Sequence, residues 1–270
     1  ESQSEVLGSD SCWEGESLLV VAPTSSGKTF VGEVLAAAAA SKLERAIIAV
    51  PYKAVAAEKY LELDSRLRPA GIPVVISDGD HSDDDADIRA GHYGVAVIVY
   101  EKLLQLLVQS PGLLADCSVV VVDEIQMLGD RHRGPVLEML LTHLLTIFDG
   151  PQLVGLSATL GDASQLAEWM QAQLFLSDKR PVPLYECIAS PTASSRPIDL
   201  ESRATRDPFD LSTAPAPGGE TNEPLLTTLR LLEREGPSTQ ALVFRAKVDD
   251  TVSTAQRLAY TLDAVPVEPE

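Results

Sequence analysis

Basic residues are scarce in this 270-residue chain: 21 lysines and arginines stand against 40 aspartates and glutamates, a formal charge of −19. So acidic a balance argues against an evenly basic surface that holds nucleic acid by charge alone. It leaves room for a local groove, because phosphates are also held by backbone N–H groups. Cysteine is nearly absent. Cys12, Cys117 and Cys187 form no CxxC pair, which argues against a disulfide framework and a structural zinc site and predicts buried free thiols. Long apolar runs are missing too. The longest, such as Leu18–Ala22 and Val119–Val122, are strand-sized, against the roughly 20 residues of a membrane span. The N-terminus shows no basic stretch leading into an apolar one, so no secretory signal is expected. These absences predict an intracellular protein, in cytoplasm, nucleoid or nucleus, with no membrane partner.

What is present is aliphatic. Hydrophobic residues make up 45% and aromatics only 5%, as suits an α/β core, and the length allows one well-buried domain plus a further piece. Short β-branched runs alternate with amphipathic stretches, the pattern of a doubly wound parallel sheet with crossover helices. Strands are expected near Ser17–Ala22, Arg45–Val50, Pro73–Ser77, Val95–Val99, Ser118–Val122 and Leu153–Leu156. Helices are expected near Lys28–Lys42, Lys53–Leu67, Glu101–Gln109, Gly134–Phe148 and Ala163–Leu174. Six aspartates between Asp78 and Asp87 read as a solvated acidic loop. After residue 190 the composition turns to Pro, Ser, Thr and Gly, so 191–223 reads as a linker or mobile loop. Periodicity returns over 224–270, with a helix near Pro224–Glu235, a strand at Gln240–Phe244 and a helix near Val248–Leu262. One strand and two helices bury no sheet, so this piece reads as the start of a second domain.

The run Ala22-Pro23-Thr24-Ser25-Ser26-Gly27-Lys28-Thr29 stands between a strand and a helix. This is a phosphate loop, with Ala22 at the usual first glycine: its N–H groups form an anion nest at a helix N-terminus. Thr24, Ser25, Ser26, Gly27, Lys28 and Thr29 are therefore candidate ATP-binding residues. Lys28 would reach the β- and γ-phosphates and the Thr29 hydroxyl would ligate Mg²⁺. Asp123 and Glu124 follow the Val119–Val122 strand, where ligands bind in open α/β sheets. Asp123 is the second candidate Mg²⁺ residue, and Glu124 the group that orients and activates the attacking water. Taken alone, an Asp-Glu pair at a strand end is more often a helix cap or a surface turn; the upstream loop reverses that reading.

The block APTSSGKT, then Asp123-Glu124-Ile125-Gln126, then Leu156-Ser157-Ala158-Thr159-Leu160 resembles motifs I, II and III of the superfamily 2 helicases. Val50–Lys59 is similar to motif Ia of their ski-type DExH branch, Asp78-Gly79-Asp80 to its GD element, and Tyr100–Leu104 to its motif Ib. Met127–Gly134 and Arg180–Leu184 also resemble this branch. The likeness covers roughly residues 17–189 and is nearest to the archaeal DNA-repair helicases and the helicase part of polymerase theta.

The resemblance implies a RecA-like ATP-binding domain over 1–190 and an incomplete second RecA-like domain over 224–270. It implies ATP hydrolysis coupled to movement along nucleic acid, a single strand or a duplex with a tail, DNA favoured over RNA. It makes Lys28, Asp123, Glu124 and Gln126 catalytic candidates, and Ser157 and Thr159 the residues that couple hydrolysis to domain movement. Pro51, Lys53, Tyr100, Glu101, Lys102 and Arg133 would line the strand groove, without reading bases. Locally, Ser157 and Thr159 also suit a cap on the next helix, and Lys53 and Lys102 a solvated surface.

Three departures stand out. Gln126 replaces the branch's usual His; its amide both donates and accepts, so it is able to bridge to motif III without carrying a proton charge. Gln3 stands about where the branch has an adenine-reading glutamine, at a different spacing. The stretch around Leu242–Arg245 resembles motif IV, while motifs V and VI, the latter with its arginine finger, lie outside the chain. The expectation for these 270 residues is Mg·ATP binding with slow or no hydrolysis, the missing domain standing in cis or trans. The alternative reading is a nucleotide-binding scaffold fragment without useful turnover.

Overall fold

In the computed structural model the short apolar runs become seven strands of one sheet, every pairing in it parallel. The structure describes residues 2–180 apart from 82–83, 111 and 148–149, and beyond them only 185–186, 194–195, 198–199, 209–210, 227–228, 230–231, 242–244 and 248–261. The strands are β1 (Leu18–Val21), β2 (Arg45–Val50), β3 (Val74–Ser77), β4 (Val95–Val99), β5 (Cys117–Val122), β6 (Gln152–Ser157) and β7 (Gln173–Leu176). Their order across the sheet is β3-β4-β2-β5-β6-β1-β7.

The helices are α1 (Ser2–Leu7), α2 (Asp10–Trp13), α3 (Lys28–Ser41), α4 (Lys53–Leu67), α5 (Asp85–Ala90), α6 (Tyr100–Gln109), α7 (Gly134–Leu145) and α8 (Ala163–Met170). Successive strand residues point to opposite faces, so both must be covered. Leu18, Val20, Val119 and Val121 pack with Val31, Leu35, Ala56 and Leu63 of α3 and α4. Leu19, Val21, Val120 and Val122 pack with Leu103, Leu106, Leu137, Leu140 and Met170 of α6, α7 and α8. This is the doubly wound α/β arrangement of a RecA-like domain. Gly32 brings α3 down onto the sheet: a Cβ there would fall 2.7 Å from Val121 Cγ1, so only glycine permits the approach.

The structure corrects several expectations. Helix α8 stops at Met170, and Gln173–Leu176 is the edge strand β7 rather than more helix. The acidic stretch is only partly a solvated loop. It includes the short helix α5, and Asp78 and Asp85 are buried. Asp78 accepts the N–H groups of Asp80 and His81, each at 2.7 Å, and Asp84 accepts the Ile76 N–H within β3 at 3.0 Å. Asp85 accepts the Ser77 hydroxyl at 2.5 Å.

The chain divides into two compact units, Glu1–Val182 and Pro183–Glu270. In the second, Tyr185–Glu186 pairs with Ile198–Asp199 and Ser194–Ser195 with Phe209–Asp210, both antiparallel. Three of these segments lie in the stretch read as a linker. The helix expected near Val248 spans Val248–Thr261. Of the strand expected at Gln240–Phe244, residues 242–244 have no regular structure and the others lie outside the described residues. Of the helix near Pro224–Glu235, residues 227–228 and 230–231 are helical and the remainder likewise lies outside. Among the described residues, no helix is long and apolar enough to cross a membrane. Cys12 and Cys117 are buried and free, as expected; Cys187 lies outside the described residues.

Candidate active site and strand groove

Because all seven strands run the same way, every motif leaves the sheet at one edge. The phosphate loop follows β1, Asp123 follows β5, and Ser157 ends β6 between them. Pro51 and Lys53 follow β2, Gly79 follows β3 and Tyr100 follows β4. The strand order thus gives one half of the edge to β1, β6 and β5 and the other to β2, β4 and β3.

In the phosphate loop, Ser25 (φ 65°) and Gly27 (φ 82°) adopt left-handed backbone, the alternation that turns successive N–H groups inward. Ser26 N–H closes the loop on Pro23 C=O at 3.2 Å. The Ser26 hydroxyl is buried and has no hydrogen-bond partner among the described residues, as expected of a polar group reserved for a ligand. Lys28, at the first position of α3, is buried. The Gln3 side chain from α1 lies directly on Gly27, where any Cβ would fall 1.4 Å from its Nε2, which donates to Ser26 C=O at 3.4 Å. Arg180 donates to the Thr24 hydroxyl at 3.5 Å.

Across a cavity of about 220 Å³, Thr29 faces Asp123 and Glu124. Asp123 is buried, 5% exposed. Burial, followed by the neighbouring Glu124 charge, pushes its carboxyl above the ordinary aspartate range, against the opposing pull of Glu124 N–H, Lys59 and Lys28. Glu124 sits in left-handed backbone, φ 56° and ψ 42°, which costs a non-glycine residue about 1–2 kcal/mol. Three bonds hold it there. Asp123 Oδ1 accepts Glu124 N–H at 2.9 Å, Gln126 Nε2 donates to Glu124 Oε2, and the Tyr100 hydroxyl donates to Asp123 C=O. Gln126 also accepts, from Ser157 Oγ at 2.9 Å and Ala158 N–H at 3.2 Å, so its amide joins motif II to motif III. The Ser157 hydroxyl also lies 3.1 Å from Thr159 C=O. Neither Ser157 nor Thr159 caps α8; Asp162 does, accepting Gln165 N–H at 3.0 Å.

On the other half of the edge, Pro51, Lys53, Gly79, Glu101, Lys102 and Arg133 line a cavity of about 330 Å³. Lys53 pairs with Asp80 at 2.8 Å. Arg133 pairs with Glu101 at 2.9 Å, donates to Pro51 C=O and lies 4.5 Å from the Tyr52 ring centroid. Lys102 turns inward to Asp85 at 2.5 Å, its side chain 15% exposed. Tyr100 is fully buried, which drives its hydroxyl's pKa far upward and keeps it a donor.

Sequence reasoning missed a second ring of residues. Lys59 lines the cavity with Asp123 and Glu124 and is locked to Glu33 of α3 at 2.7 Å, both nearly buried. Arg66 reaches the same carboxylate at 3.5 Å. The only available signal was the location of Lys59 within motif Ia, because its partner is 26 residues away.

Residues 2–166 match the DEAD/DEAH box helicase family. The chain is 33% identical over 94% of its length to the ATP-dependent DNA helicase Hel308 of Caldivirga maquilingensis, covering 31% of that protein. It is 36% identical over 95% of its length to that of Pyrobaculum calidifontis, covering 34% of it. Against that of Pyrococcus abyssi it is 40% identical over 67% of its length, covering 25% of that relative. The chain thus spans about a third or less of each of these relatives.

Proposed function

The chain belongs to the DEAD/DEAH box helicase family, and on that premise we propose that it is the ATP-binding motor domain of a DNA helicase or translocase. The observation that carries the reading is the meeting of Thr29, Asp123 and Glu124 around one cavity beside the phosphate loop. The DNA class rests on the relatives, which are ATP-dependent DNA helicases. Action inside the cell, on a single strand or a tailed duplex, belongs to the same proposal.

Each group in the site has a task its geometry suits. The loop N–H groups and the Ser26 hydroxyl take phosphate oxygens, and Lys28 supplies the cation that balances them. Thr29 and Asp123 would hold a Mg²⁺ ion, which neutralises charge on the β- and γ-phosphates. Gln126 occupies one oxygen of Glu124. The other is left to orient a water molecule and accept its proton. Loss of the γ-phosphate alters what Gln126 can hold, and its bonds to Ser157 and Ala158 carry the change to motif III. A second motor domain, begun within Pro183–Glu270 and completed in cis or trans, would close on this edge and convert the cycle into steps along the strand.

The test is ATP turnover and nucleotide binding by the purified chain, with and without single-stranded DNA or RNA, with Lys28→Ala as control. DNA-dependent binding or turnover that disappears in Lys28→Ala supports the reading. Activity with a small phosphate acceptor and none with water would replace it with a kinase.

A further inference from the structure

The Tyr100 side chain starts in one half of the sheet edge and ends in the other. Its backbone follows β4, in the half that carries the strand groove. Its hydroxyl donates to the carbonyl of Asp123 after β5, in the half that carries the phosphate loop. β2 lies between those strands, so the ring spans the whole of one intervening strand.

The acceptor it chooses is specific. The Asp123 carbonyl belongs to the peptide that leads into Glu124, the residue held in left-handed backbone. A donor fixed on that carbonyl fixes the peptide plane, and with it the direction in which the Glu124 carboxylate leaves the chain. The other end of Tyr100 is tied to the groove. The next residue, Glu101, grips Arg133, which donates to Pro51 C=O and stacks on Tyr52. Both Glu101 and Arg133 line the groove cavity. A phosphate entering that cavity competes with Glu101 for Arg133 and so loosens the tie on the first turn of α6, where Tyr100 sits.

We propose that Tyr100 is a positioning residue that couples the strand groove to the catalytic pair through its hydroxyl on the Asp123 carbonyl, rather than a residue that touches the strand. Full burial of the ring fits this role and not strand contact. The inference rests on the proposed helicase function, since it needs a strand in the groove and a nucleotide at the phosphate loop.

Coupling between two ligands is reciprocal, so it is readable from binding without turnover. The 270-residue chain is titrated with fluorescent oligo-dT in the presence and absence of a non-hydrolysable Mg·ATP analogue, then with the analogue in the presence and absence of oligo-dT. The wild type should show a change in each affinity of at least about five-fold on adding the other ligand. In Tyr100→Phe, which keeps the ring, each ligand alone should bind within about two-fold of wild type while the coupling falls below about two-fold. A merely structural role would weaken both affinities and leave their ratio intact. Equal coupling in wild type and Tyr100→Phe, or binding of both ligands to the wild type with no coupling, overturns the inference. Wild type that binds no strand overturns the functional reading itself, and the inference with it. Should Tyr100→Phe lose its fold by circular dichroism, Glu101→Gln at the exposed end of the same relay takes its place; because Glu101 lines the groove, strand affinity alone is expected to change and only the loss of coupling is read.

Discussion

Gln126 and Ser157 are joined by a 2.9 Å hydrogen bond in which the serine hydroxyl donates to the amide oxygen. The same amide donates from its nitrogen to Glu124, and only a side chain with both a donor and an acceptor makes the two contacts at once. Gln126→Glu replaces the donor with a second carboxylate facing Glu124. Under the proposed function, strand-dependent ATP turnover should fall at least about ten-fold, the equivalent of about 1.4 kcal/mol in the barrier. Steady-state kinetics at saturating ATP read this, and KM should change less than kcat.

Lys59 and Glu33 form a nearly buried ion pair that ties α4 to α3. Removing Lys59 leaves the nearly buried Glu33 carboxylate with only the longer contact to the half-exposed Arg66 at 3.5 Å, so Lys59→Ala should lower stability by about 1–3 kcal/mol, short of the cost of a fully stranded charge. The double variant Glu33→Gln/Lys59→Met should recover most of that loss, because it leaves neither charge behind. Urea unfolding curves of the three proteins decide it; a Lys59→Ala midpoint equal to wild type would refute the assignment.

Asp78 supplies the pH dependence. Burial pushes its carboxyl upward, but the N–H groups of His81 and Asp80 and the His81 imidazole together outweigh that and hold it below the ordinary range. A depressed carboxyl pKa means the folded state favours the charged form, so its contribution is present above the unfolded value, about 3.9. It is lost as pH falls through the lower folded value. Asp78→Asn should therefore be less stable than wild type at neutral pH, with the gap closing in acid. Thermal unfolding across pH measures the gap, and a constant difference would count against the account.

Cys117 gives a probe of opening. Burial drives its thiol pKa up to about 12, against the pull of the Val119 and Ile47 backbone and Arg45, so the nucleophilic thiolate is nearly absent at neutral pH. Alkylation by iodoacetamide followed by mass spectrometry should leave Cys117 unmodified in the native chain and modify it in urea. Native labelling at the rate of a free thiol would show that β5 is less protected than its position implies.

Most of the first unit was legible because strands covered on both faces must be apolar throughout. Runs such as Val119–Val122 and Val95–Val99 therefore announce themselves. β7 did not, since it is an edge strand with half-exposed residues. The turn before it hinges on Gln171 in left-handed backbone (φ 52°), where no glycine marks the helix end. α5 was hidden because aspartates read as surface until partners such as Ile76 N–H and Ser77 are known. In the site, the phosphate loop and the Asp-Glu pair were legible from local spacing. The burial of Tyr100 and the inward turn of Lys102 onto Asp85 depend on which strands neighbour one another, which no local pattern encodes.

The strand that carries the phosphate loop, β1, takes its hydrogen-bonding neighbours from Gln152–Ser157 and Gln173–Leu176. During synthesis, which runs from the N-terminus, β1 and its loop are made before β2 to β5 and remain without either neighbour until Gln152–Ser157 has followed. The nucleotide site therefore cannot be assembled before β6 is made, although its lysine precedes β2. A nascent chain arrested ahead of β6 has the full GKT sequence and four strands that pair with one another, but none that pairs with β1.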